Sequence, residues 1–124
     1  MAATEVAGGV VYVKADGIQL SAEGTVTVMF SKEKREGKAA MDGRVVRSRT
    51  PLVPYVEGTY YLTASTDIEA LEAIENADVK VELASGKTGT LRNAYACGEA
   101  EVDSSAGTFK LRFEGSAGIW DNEA

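Results

Sequence analysis

A mostly β domain of the α+β class is what this sequence predicts, and three observations predict it. Apolar and polar residues alternate in six or more short segments, the period of strands with one face on a core. Turn residues, Asp-Gly and Ser-Gly among them, stand between those segments. Only one stretch carries helical spacing. A chain of 124 residues with a hydrophobic share of 44% has material for one core but not for two, so we expect one domain over residues 1–124 with short flexible termini.

Val10 to Ala15 is rich in β-branched and aromatic residues and reads as a strand. Asp16-Gly17 supplies the positive φ angles of a tight hairpin, and Ile18 to Leu20 begins the return. From Thr25 to Phe30, Val26, Val28 and Phe30 alternate with Thr25, Thr27 and Met29. Residues 31–49 have no sustained period, and Gly37 and Asp42-Gly43 punctuate them as a long polar loop or an extended hairpin. Ala39, Ala40 and Met41 are too few to anchor this segment on a core, and Val45 and Val46 give only a weak strand. Pro51 and Pro54 lack the N–H a ladder needs, so the piece around Leu52 and Val53 is a connection or a sheet edge. Thr59 to Thr63 resumes as a strand.

One short helix is expected at about residues 67–75. Thr66 caps it and Glu69 completes a capping box, while Asp67, Glu69 and Glu72 suit the positive end of the dipole. Ile68, Leu71 and Ile74 share its apolar face, and Asn76 is the stop. Alternation returns in Val79 to Leu83, Ser85-Gly86-Lys87 turns the chain, and Leu91 to Cys97 is another strand. Glu99 to Val102 continues it or starts a new one. Ser104 to Gly107 is a turn, after which Phe109, Leu111 and Phe113 alternate with Lys110, Arg112 and Glu114. The tail from Gly115 is small and polar apart from Ile119 and Trp120.

The net charge of -6 is unevenly spread. Ser31 to Thr50 holds seven basic residues (Lys32, Lys34, Arg35, Lys38, Arg44, Arg47, Arg49) against Glu33, Glu36 and Asp42, a balance of +4, which leaves -10 on the rest. A body this acidic argues against general nucleic-acid binding, which needs clustered positive charge. The basic segment reads as a solvated loop or as an arm that docks on an acidic surface of another copy. No apolar run is long enough to span a membrane, and no membrane anchoring is expected. MAATEVAGG has neither a basic n-region nor an apolar h-region, so synthesis in the cytosol is expected. Cys97 is the lone cysteine, without a disulfide or zinc partner, and reads as a small buried apolar residue.

Chemistry is poorly represented. There is no histidine to act as a general base, and no nucleophile motif. Gly86-Lys87-Thr88 matches the end of a P-loop, but Val81 stands where the motif needs its first glycine, and a hairpin turn is the better reading. Glu99, Glu101 and Asp103 fall at alternate positions, which on a strand puts three carboxylates on one face. Their spacing of roughly 6.5–7 Å is too wide for compact chelation, so the row is an exposed acidic face and not a metal site. Tyr55, Tyr60, Tyr61, Tyr95 and Trp120 lack interleaved basic residues, which favours packing over a single-strand stacking platform. We therefore expect no enzyme, no cofactor and no catalytic residue.

Gly8-Gly9-Val10 with Tyr12-Val13, Asp16-Gly17, Lys34-Arg35-Glu36, Met41-Asp42-Gly43, Thr50-Pro51 with Val53-Pro54-Tyr55, Glu57-Gly58-Thr59 and Leu91-Arg92-Asn93-Ala94 follow one another between about Ala7 and Glu114. In order and spacing they resemble the tail tube proteins of Mu-like phages. The resemblance implies a β-sandwich or barrel-like subunit flanked by a helix, closing into hexameric rings that stack into the tube conducting DNA during ejection. It implies a virion protein assembled in the host cytoplasm, with itself, a tail sheath, baseplate and terminator proteins as partners, and DNA passing without specific binding. On that reading Lys32, Lys34, Arg35, Lys38, Arg44, Arg47 and Arg49 are expected to stack rings, and Glu99, Glu101 and Asp103 to line the lumen. The same architecture occurs in pyocin-like particles and type VI secretion tubes. A small β-barrel that binds a ligand or glycan is the alternative of another class; rings or filaments against uniformly small particles discriminate the two.

Overall fold

The computed structural model describes residues 10–121, so the expected flexible termini and the Gly8-Gly9 pair lie outside the described residues. β1 (Val10–Ala15) turns through Asp16 and Gly17, at φ 48° and 80°, into β2 (Ile18–Leu20), as the Asp-Gly pair demands. The chain bends at Ser21 into β3 (Ala22–Met29), departs as β4 (Glu33–Ala39) and β5 (Val45–Pro51), and returns as β6 (Tyr55–Tyr61). After α1 (Ile68–Glu72) come β7 (Ala77–Leu83), β8 (Thr88–Cys97), β9 (Val102–Asp103), β10 (Thr108–Glu114) and β11 (Ala117–Asp121). The main sheet runs β2-β1-β7-β8-β10-β6-β3, with β11 on β8 and β9 on β10, and every pairing is antiparallel.

Its two ends, β2 and β3, are one piece of chain bent at Ser21, whose carbonyl accepts a hydrogen bond from the Tyr61 N–H at 2.9 Å. The sheet therefore folds back on itself into a mostly β, sandwich or barrel-like body. β8 joins the layers: its first half lies between β7 and β11, and its second half pairs with β10. Val13, Val79, Val81 and Leu91 share one core with Val56, Tyr60, Phe109, Leu111 and Phe113. Leu71 and Ile74 of the helical segment are buried in that core, with Ile68 half-buried beside them, as the apolar stripe predicts.

Several boundaries differ from expectation for identifiable reasons. Asp67, not Thr66, caps the helix: its carboxylate accepts from the Ala70 N–H at 3.0 Å, while the Thr66 hydroxyl is committed to the Thr63 N–H at 3.1 Å. The helix stops at Glu72, earlier than expected, and the carbonyl of Ile74 accepts from the Ala96 N–H of β8. β6 starts at Tyr55 rather than Thr59 because Val56, Gly58 and Tyr60 all point inward. Gly58 gives the core close approach there, since a Cβ would lie 3.0 Å from Val26 Cγ2 and press on it. β11 was not expected as a strand at all. Its Gly118, together with Gly89 of β8, makes room for the rings of Phe30 and Trp120, which pack 4.9 Å apart.

Candidate assembly surfaces

The segment expected as a polar loop or extended hairpin is a hairpin, β4 with β5, forming a two-stranded sheet of its own. Gly43, at φ 85°, closes the turn, where the Ala40 N–H donates to the Arg44 carbonyl at 2.7 Å and Arg44 meets Asp42 at 3.4 Å. Nearly every residue from Glu33 to Pro51 is exposed or half-exposed on both faces. At the base the Leu52 N–H donates to the Lys32 carbonyl at 2.9 Å. One register carries through from body to arm: Val26 stands opposite Gly58, Met29 opposite Tyr55, Glu33 opposite Pro51 and Ala39 opposite Val45, with no residue inserted on either side. The arm is thus the outward continuation of the β3–β6 ribbon.

A second surface is the outer face of the β3–β6–β10 layer, formed by side chains that alternate with the core. Register sets Thr27, Glu57, Arg112 and Cys97 in one row and Met29, Tyr55, Glu114 and Tyr95 in the next. Arg112 is the hub. Its Nη1 donates to Glu57 Oε2 at 2.9 Å and its Nη2 to Glu114 Oε2 at 3.0 Å, and the guanidinium lies 4.0 Å from the Tyr55 ring centroid. The Tyr95 hydroxyl donates to the other Glu114 oxygen at 3.2 Å. Pairs this exposed contribute about 0–1 kcal/mol each, so the network orients side chains more than it stabilises the fold. Cys97 sits here, half-buried, and not in the core as expected. Burial and then the Glu114 charge push its thiol up against the pull of Arg112. That favours the protonated, unreactive form.

Beside the hub the face is hollowed into an open groove of about 730 Å³, lined by Glu57, Glu99, Glu101, Lys110, Arg112 and threonines of β3 and β6. The expected acidic row along one strand is not formed. The Glu101 N–H donates to the Glu99 carbonyl at 3.1 Å in a tight turn, and β9 is only Val102 and Asp103. Glu101 still runs beside β10, its carbonyl accepting from the Lys110 N–H at 3.0 Å, and Ala100 packs against the core. Asp103 is diverted: its carboxylate accepts from the Ser105 and Ala106 N–H groups at 3.0 and 3.2 Å, holding the turn before β10. Val102, which strict alternation with those carboxylates would turn inward, is 49% exposed.

The sequence matches the family described as phage tail tube protein over residues 4–120. The chain belongs to the phage tail tube protein family. No curated protein matches it significantly. In fold, this tail tube family member is similar to a sheath/tube terminator of an extracellular contractile injection system, with a TM-score of 0.66 at 11% identity over 96% of this chain and 99% of that one. It is similar to the tube-terminating cap of the anti-feeding prophage, with a TM-score of 0.65 at 11% identity over 90% and 87% of the two chains. Hcp1 from Flavobacterium johnsoniae has a TM-score of 0.61 at 13% identity over 90% and 94%. Membership of that family makes the role a structural one in a tube.

Gly86-Lys87-Thr88 of the tail tube family member is the β7–β8 turn, with Gly86 at φ 91° and the Leu83 N–H donating to the Lys87 carbonyl at 2.9 Å. Among the described residues no cluster of Cys, Asp and Glu is arranged to hold a metal ion, and no helix is long and apolar enough to cross a membrane. Glu57 and Arg112 were not singled out from sequence as site residues. Only their facing positions on β6 and β10 bring them together, and that pairing is not encoded locally.

Proposed function

We propose that this chain is the repeating subunit of a tail tube. Copies close into hexameric rings, rings stack head to tail, and the stack conducts DNA during ejection. The observation that carries the reading is the arm: a two-stranded sheet exposed on both faces, in a chain of the tail tube family. A two-stranded ribbon that projects from its body with both faces exposed gains little from its own packing, and a neighbouring copy would cover it. Charge of +4 in Ser31–Thr50 against -10 elsewhere supports a contact between unlike patches of identical subunits. The arm that carries Lys32, Lys34, Arg35, Lys38, Arg44, Arg47 and Arg49 is the ring-stacking element in this reading. Glu99 and Glu101, joined by Glu57, line the lumen and keep phosphates sliding rather than bound; Asp103 of the expected row serves its turn instead.

The partners of such a tube are a sheath around it and baseplate and terminator proteins at its ends. Assembly takes place in the host cytoplasm and the product is part of the virion. The tube of a phage-derived particle is the second reading, favoured by the fold likeness to contractile injection system subunits. Ultracentrifugation and negative-stain microscopy of concentrated protein test the assignment. Rings or tubes are expected from the whole chain, and small particles whose body still melts cooperatively when residues 33–51 are replaced by a short Gly-Ser turn. A uniform monomer at high micromolar concentration refutes the tube. Unaltered ejection from tails carrying Glu99→Lys with Glu101→Lys refutes the lumen assignment.

A further inference from the structure

The basic residues of the arm divide between two faces that differ in chemistry. Cross-strand partners share a face, so one face carries Glu33 opposite Pro51, Arg35 opposite Arg49, Gly37 opposite Arg47 and Ala39 opposite Val45. The other carries Lys34 opposite Thr50, Glu36 opposite Ser48 and Lys38 opposite Val46. On the lysine face Lys34 is already neutralised by Glu36 at 2.8 Å. On the arginine face two guanidinium-bearing residues stand directly opposite each other and a third is two positions along; the one carboxylate, Glu33, meets Arg35 at 3.1 Å. Like charges set directly opposite destabilise a ribbon on its own, and an external anion relieves them.

We propose that the arginine face alone, Arg35, Arg47 and Arg49 with Val45 at its far end, bears on a second copy of this chain and takes carboxylates of that copy's acidic body. This rests on the ring-stacking reading and names its contact. Each guanidinium fork can donate two parallel N–H bonds to one carboxylate, which gives the contact direction as well as attraction. The occupant is protein rather than nucleic acid because the same face ends in Ala39 and Val45, the latter 74% exposed, beside the wholly exposed Met41 of the turn. A phosphate backbone has no use for an apolar end, whereas the centre of a protein interface does. The -10 carried outside Ser31–Thr50 supplies the carboxylates.

Val45 and Val46 are neighbours on opposite faces, and both are exposed. A photo-crosslinking benzoylphenylalanine at either position of the full-length chain therefore reports one face each. In concentrated protein, position 45 is expected to yield copy-to-copy adducts about tenfold more than position 46. Equal yields, or an excess from position 46, overturn the face assignment while leaving arm stacking intact; no copy-to-copy adduct from either position overturns both. Capture of added duplex DNA by position 45 in place of a second copy overturns the choice of occupant. As an independent arm, Arg47→Glu with Arg49→Glu is expected to lower the assembled fraction about tenfold. Lys34→Glu with Lys38→Glu is expected to change it less than about twofold. The reverse order overturns the proposal, with circular dichroism confirming that both variants fold.

Discussion

Tyr60 is fully buried between layers that are otherwise apolar, and its hydroxyl has no hydrogen-bond partner among the described residues. A buried polar group left unpaired costs about 1–3 kcal/mol, so Tyr60→Phe is expected to hold or raise stability, by up to roughly 1 kcal/mol in urea melts. Burial, aided by the charge of Glu57, also holds the phenol far above its ordinary pKa of 10.0. The folded state keeps this proton where the unfolded chain releases it. That contribution to stability is complete below pH 10.0 and declines as pH rises further. The variant is therefore expected to lose less stability than the parent chain in melts compared between about pH 9 and about pH 11. Gly118 carries the opposite demand, for absence of a side chain. A Cβ there would strike the Phe30 ring, so Gly118→Ala is expected to destabilise by about 1–3 kcal/mol and to alter the fluorescence of Trp120, the only tryptophan.

Among the elements, α1 is held by its cap and by Leu71. Asp67→Ala is expected to lower stability by about 1 kcal/mol, against a smaller loss for Thr66→Ala, as thermal melts would show; the reverse order would restore Thr66 as the cap. Elements whose local chemistry leaves no choice were legible in the sequence. Asp16-Gly17 had to adopt positive φ, and Phe109, Leu111 and Phe113 had to face a core. β11 was not legible, because its Gly118 answers to Phe30, a ring distant along the chain. The arm's strands were half-legible, since residues exposed on both faces show no apolar alternation and only the ladder makes them a hairpin. The same reason hid the surfaces. Charge counting found the basic residues without telling their faces apart, and placed Glu99, Glu101 and Asp103 on a strand that Asp103 itself ends by capping a turn.

At the scale of the whole molecule, assembly through separated charges is expected to weaken as salt rises, because exposed charges are screened beyond about 8 Å at physiological ionic strength. Sedimentation across a salt series would show the assembled fraction falling; insensitivity to salt would place the contact on apolar surface instead. The unbroken register between body and arm has a further consequence, for the history of the gene. Insertions and deletions in this ribbon obey an even–odd rule. One residue added to each strand at the junction, after Ser31 and after Leu52, leaves every arm pair matched but turns the arm over relative to the body. Crosslinking by the original Val46 should then replace crosslinking by Val45. Two residues added to each strand restore the original side and carry the tip outward by roughly 7 Å. Descendants of this chain therefore keep the same contact surface only when arm length changes by matched steps of two, whereas a single residue gained or lost on one strand alone has to be absorbed as a bulge.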